Sequence, residues 1–315
     1  MAIVEFGGLG PRDVRYAASR ALRALWRPAL ALTLAVTSAA CASRAVDPAT
    51  TAEAEAAYRD TLARSARLWK RAETLRAQDQ AAAIQLYVLD EAEATGSPPP
   101  LLKKRRRALQ VEAAARRAEA IVAYRALVDA PDLRSAPERS RALFALALSL
   151  QDAGKAEEAK KRYRQLLEEH PEAPATPEAY LALANLAFAD GDLDEAVWRC
   201  DGSLRRSSGA GLRKRALYLK AWSLRGLGRS HNRAAMEALR DIVRMRRSDP
   251  RSLEAQIEDA AAQELVNLYT DHGDPDQAEA FFAAAGPRGA KLLALARSRG
   301  LGTGRRLERL DRKIY

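Results

Sequence analysis

Few side chains in this sequence are of a type and spacing that could carry covalent chemistry. Two cysteines, Cys41 and Cys200, and three histidines, His170, His231 and His272, are the whole stock of thiols and imidazoles. A catalytic thiol needs a base or cation beside it to lower its pKa, and no histidine can be assigned to Cys200, which reads as a small buried hydrophobe. The histidines fall near expected turns without the spacing that pairs ligands around a metal ion. GLGTG at Gly300–Gly304 supplies glycines but lacks the preceding strand that a phosphate-cradling loop requires. Adjacent carboxylates such as Glu157 and Glu158 read as solvent-facing helix charge. Nothing here points to an enzyme, and no catalytic residue, metal or cofactor is expected.

Cys41 differs because the residues before it are ordered by type. Arginines from Arg12 to Arg27 lead to apolar Ala29–Val36 and then to the small residues Thr37, Ser38, Ala39 and Ala40. Charge, short apolar core and small-residue exit make a secretory signal. The apolar run falls well short of the roughly 20 residues that cross a bilayer. A cysteine directly after Ser38-Ala39-Ala40 resembles the lipobox of bacterial lipoproteins, although that family prefers Leu where Ser38 stands. The resemblance implies that Cys41 is lipidated and that residues 1–40 are a signal peptide, with residues 41–51 as a flexible tether. It also implies an outer-membrane address facing the periplasm, since Ala42 is not acidic. Two or three acyl chains, at about 0.8 kcal/mol per buried methylene, hold such a protein stably. The alternatives are an ordinary signal-peptidase site that releases a soluble periplasmic protein, and a cytoplasmic protein with a chance apolar helix.

The elements behind these residues are helical. Ala, Leu, Arg and Glu dominate the 315 residues, aromatics are 6%, and alternating β-branched runs are nearly absent, so the fold class is all-α. The net charge is +11, falling to +8 without the five arginines and two acids that precede Cys41. Such a surplus suits anionic membrane, acidic polymer, nucleic acid or acidic proteins alike. Two cysteines make no disulfide framework, although one pair remains formally possible.

Residues 52–135 read as N-terminal helices. Thr51–Gln78 places Tyr58, Leu62, Ala66, Trp69 and Ala72 on one side, and a second helix is expected over Gln80–Ala94. Gly96 to Pro100 is a turn, because three consecutive prolines cannot sit inside a helix. The helix over Leu101–Val128 contains Lys103-Lys104-Arg105-Arg106-Arg107. That run has the composition of a phosphate binder; on a secreted chain it reads instead as a solvated face, and no nucleic-acid partner is expected.

Residues 136–287 repeat themselves. Gly154, Gly191, Gly228 and Gly273 each follow one apolar helical segment and precede another. Small Ala147, Ala184 and Ala221 recur before the glycines, with Val266 in the fourth unit. After them come Ala159, Ala196, Ala235 and Ala278, each followed four residues later by Tyr163, Cys200, Leu239 or Phe282. This pattern resembles tetratricopeptide repeats, two-helix units that stack because none buries its apolar face alone. The resemblance implies a tetratricopeptide-repeat helical solenoid behind an N-terminal helical region that holds a worn further unit. Residues 288–315 would form a capping helix and a basic tail.

In such an array the first helix of each unit lines a concave groove. The family's groove positions fall on Phe144, Leu148, Leu181, Asn185, Phe188, Arg215, Tyr218, Trp222, Arg225 and Asn267. Aromatic, amide and arginine side chains together suit an extended peptide segment or a partner helix, although the rings serve equally to pack neighbouring repeats. The resemblance extends to envelope lipoproteins of outer-membrane assembly, cell division or surface motility, so the expected partners are envelope proteins, with membrane contact through the lipid. A peptidoglycan- or anionic-polymer-binding accessory factor, and a cytoplasmic repeat adaptor, are the alternatives.

Overall fold

The computed structural model describes residues 48–94 and 100–301. Cys41, the signal segment and the basic tail lie outside the described residues. The chain divides into two units, Met1–Glu55 and Ala56–Tyr315; of the first unit only the opening turns of a helix are described. Among the described residues the fold is all-helical, with eleven α-helices packed in sequence and no strand.

The longest helix, α1, runs Pro48–Ala94 without interruption, about 70 Å at 1.5 Å per residue. It replaces the two helices expected over Thr51–Gln78 and Gln80–Ala94, and it begins inside the stretch read as tether. The expected break at Asp79 is absent for an electrostatic reason. A free Asp competes for backbone hydrogen bonds, but the buried Asp79 carboxylate accepts two bonds from Arg117, both 2.9 Å. The second helix, α2, spans Pro100–Val128 and lies antiparallel to α1. Asp90 faces Arg106, Asp79 faces Arg117 and Glu73 faces Tyr124.

The packed stripe of α1 alternates in steps of three and four: Ser65, Ala72, Leu75, Asp79 and Ala82 are buried, and Leu68, Leu86 and Leu89 are half-buried. This is the heptad period of a coiled-coil seam. Tyr58 and Ala66, expected on the packed side, are exposed, because the seam follows a different ridge of the helix. On α2 the matching stripe is Leu102, Arg106, Leu109, Ala113, Arg116, Ala120, Ala123 and Leu127.

Four further pairs follow: α3 (Arg139–Asp152) with α4 (Ala156–Glu169), α5 (Thr176–Ala189) with α6 (Leu193–Arg206), α7 (Ala210–Gly226) with α8 (Asn232–Arg244), and α9 (Leu253–His272) with α10 (Ala278–Ala283). α11 (Gly289–Ser298) packs on α9 and α10. Glu169 ends α4 just before Pro171, and Asp192 caps α6 by accepting from Glu195 N at 3.2 Å. All twelve recurring positions, from Ala147 to Phe282, are buried, none above 3% exposure. One core cluster is built from α1 to α5, a second from α7 to α11, and a small one from Leu181, Leu212 and Ala216.

The turns explain the landmark glycines, with one exception. Gly154, Gly191 and Gly228 have φ of +74°, +81° and +103°, a region that side chains with a Cβ avoid. Gly273 has φ −71°; there a Cβ would lie 2.5 Å from the Tyr269 carbonyl oxygen, so close approach rather than handedness requires glycine. The fourth pair also departs in having a six-residue second helix, ended at Gly286-Pro287.

Candidate functional site

The helices that follow the repeat pattern do not present one uniform face. On α3, Phe144 is half-buried with its ring 5.8 Å from the Tyr163 ring, and Leu148 is half-buried. Leu181 on α5 is a core residue at 6% exposure, packed with Leu212 and Ala216 of α7. It is therefore removed from the groove: its register on α5 turns it into the neighbouring helix. Asn185 is exposed and donates to the Leu181 carbonyl at 3.0 Å, while Phe188 is half-buried.

The open, polar part lies on α7 and α9. Residues Arg215, Tyr218, Trp222 and Arg225 descend α7 in steps of three and four, and so share a side. The Tyr218 and Trp222 rings meet edge to face at 6.3 Å. The Arg225 guanidinium sits 5.0 Å from the Trp222 ring centre and forms an ion pair with Glu264 of α9. Arg215 stands 4.0 Å from Glu254, also on α9. Acids on α9 thus position the arginines of α7 and compensate their charge.

This track runs into a cleft of about 490 Å³ lined by Arg225, Arg229, Asn232, Glu264, Asn267, Asp271, His272 and Arg299. Asn267 Oδ1 accepts from Arg299 at 2.5 Å, which brings the end of α11 to the wall of the cleft. The structure therefore joins two of the expected groove residues, Arg225 and Asn267, in one site. Sequence reading missed Glu264, Arg229 and Arg299. Glu264 stands one turn before Asn267 on the same helix side, which was the available signal; Arg299 lies outside the repeating units and had none.

No protein-family model matches the chain, and no curated protein matches it. The site must be read from its own chemistry.

Nucleophilic chemistry finds no support at Cys200. Burial pushes its thiol up to about 12, with Asp201 adding to the effect and Lys220 opposing it, so the thiolate is scarce at neutral pH. Among the described residues no three His, Cys, Asp or Glu side chains converge as a metal site would require. The basic run on α2 is largely exposed, with Arg106 paired to Asp90 at 2.8 Å. What the α7–α9 site offers is recognition: an aromatic edge, a stacked guanidinium and amide and carboxylate groups along an open cleft.

Proposed function

We propose that the chain is a repeat-built scaffold that holds an extended segment of a partner protein along α7 and α9. The observation that carries this reading is the Tyr218–Trp222–Arg225 track opening into the cleft at Asn267. Rings partly exposed on a rigid helix give contact area at small entropic penalty, and Asn and Arg can satisfy a peptide backbone or carboxylate.

The tetratricopeptide reading is supported by twelve buried recurring positions and by three left-handed turn glycines. Gly273 and the short α10 are departures from it. The envelope and lipid-anchor reading is supported by the residues around Cys41 alone. In this reading the protein performs no catalysis, and the anchor would concentrate the groove near membrane-bound partners.

Photo-crosslinking in cells from a probe at Tyr218, followed by mass spectrometry, tests the groove. A discrete partner captured by the parent and lost in Trp222→Ala and Arg225→Ala supports it. Equal capture by all three overturns it. Fatty-acid labelling abolished by Cys41→Ser tests the anchor separately.

A further inference from the structure

Most of the exposed large hydrophobic side chains of the described residues lie on the α1–α2 hairpin. Six of the nine exposed large hydrophobics, namely Tyr58, Ile84, Tyr87, Val88, Val111 and Val122, lie on these two helices. Their placement is ordered. One side of the hairpin packs against α3: Trp69 lies 4.7 Å beneath the Arg141 guanidinium, and Ile121 and Val128 are buried in the same core. On the opposite side every residue is exposed. α1 supplies Arg71, Thr74, Gln78, Ala81, Gln85 and Val88 there, and α2 supplies Arg105, Ala108, Glu112, Ala115, Glu119, Val122 and Ala126.

This side repeats in sevens, as the buried seam does. Val88 and Val122 mark its ends, with Ile84 and Val111 on its borders, exposed by 58%, 65%, 66% and 71%. Six of its thirteen residues are apolar, namely Ala81, Val88, Ala108, Ala115, Val122 and Ala126, and the hairpin's register sets Ala81 level with Ala115 and Val88 level with Ala108. Its two arginines and two glutamates cancel, on a protein whose net charge is +11, so this face adds no repulsion between copies.

We propose that the free side of the hairpin is a homodimer interface, in which two copies pack as a four-helix bundle about a two-fold axis along the hairpin. The hairpin's own register sets Glu73 level with Tyr124, Asp79 with Arg117 and Asp90 with Arg106. A two-fold axis along the helices preserves these levels between copies. Thr74, Ala81 and Val88 of one copy then meet Val122, Ala115 and Ala108 of the other, twice over. Gln78 and Gln85 come level with Glu119 and Glu112, and Arg71 reaches the same Glu119, which among the described residues stands 3.7 Å from Arg116 in its own helix. The face is about 30 Å long and two helices wide, so about 600 Å² a side. That total reaches the lower end of stable, specific interfaces.

Sedimentation equilibrium of the full chain carrying Cys41→Ser, at micromolar concentration, reads the outcome. The expected mass is twice the 34.4 kDa of the chain. Val88→Glu with Val122→Glu should raise the dimer dissociation constant on the order of a hundredfold by burying unpaired charge, while far-UV circular dichroism stays unchanged. Mixing Ala81→Cys protein with Ala115→Cys protein under mild oxidation should give a disulfide-linked dimer. A monomeric parent overturns the proposal. So does a dimer that survives both glutamates, or one in which Ala81→Cys and Ala115→Cys fail to join.

Discussion

Lys214 of α7 donates to Glu258 of α9 at 2.7 Å, and both are buried, at 1% and 0% exposure. The ammonium is further held by the Arg246 carbonyl and the Ser248 hydroxyl, each at 2.8 Å. The backbone N–H of Ser248 donates to the same Glu258 oxygen at 2.9 Å. The pair therefore pins the α8–α9 connection to the inner surface of α7, the helix that carries Trp222.

Removing one member strands a buried charge. Glu258→Leu or Lys214→Met should each lower stability by about 3–5 kcal/mol, whereas the double replacement should recover much of that loss. Urea unfolding of the four proteins checks it; additive single effects would mean that the pair is not coupled.

The same pair predicts an acid limb. Burial alone would raise the Glu258 carboxyl, but hydrogen bonds from Lys214 and Ser248 outweigh it and hold the pKa below the usual carboxylate value. A depressed folded-state pKa contributes stability that is complete above the unfolded value, near 4.3, and is lost as pH falls through the folded value. Unfolding free energy measured from pH 7 down to pH 3 should drop below about pH 4, and the drop should shrink in the double variant.

Gly191 and Gly273 should respond differently to the same replacement. At Gly191, with φ +81° and open space around the missing Cβ, Ala should cost about 1 kcal/mol and Asn less, since Asn tolerates left-handed backbone. At Gly273 the obstacle is the Tyr269 carbonyl, so Asn should be no better than Ala. Thermal melts of the four variants decide between the two causes.

Cys200 should be inert in the folded protein. In a Cys41→Ser background, iodoacetamide at pH 8 should leave the native thiol unmodified and label it fully in denaturant, because burial suppresses the thiolate. Rapid native labelling would show that the α6 packing position opens to solvent.

The recurring positions were legible because helix crossings impose them. Ala184 and Ala196 must be small where their helices approach closely, and that demand returns with every unit. Gly154, Gly191 and Gly228 were legible as turns for a similar reason, a backbone handedness written as one residue type. The continuity of α1 was not legible, because the partner that keeps Asp79 helical, Arg117, lies on another helix. Leu181 was misplaced because a repeat alignment gives a position within a unit, not the rotation of α5 toward Leu212. Arg299 reaches Asn267 from outside the repeating units, where no periodicity announces it.

The unbroken α1 also has a mechanical meaning. With no glycine or proline between Pro48 and Ala94, its own backbone offers no point at which bending would concentrate. A glycine pair placed at Gln78 and Gln80 would put such a point beside the Asp79–Arg117 pair, and the seam with α2, closed again at Asp90–Arg106, would then carry the alignment of the far end.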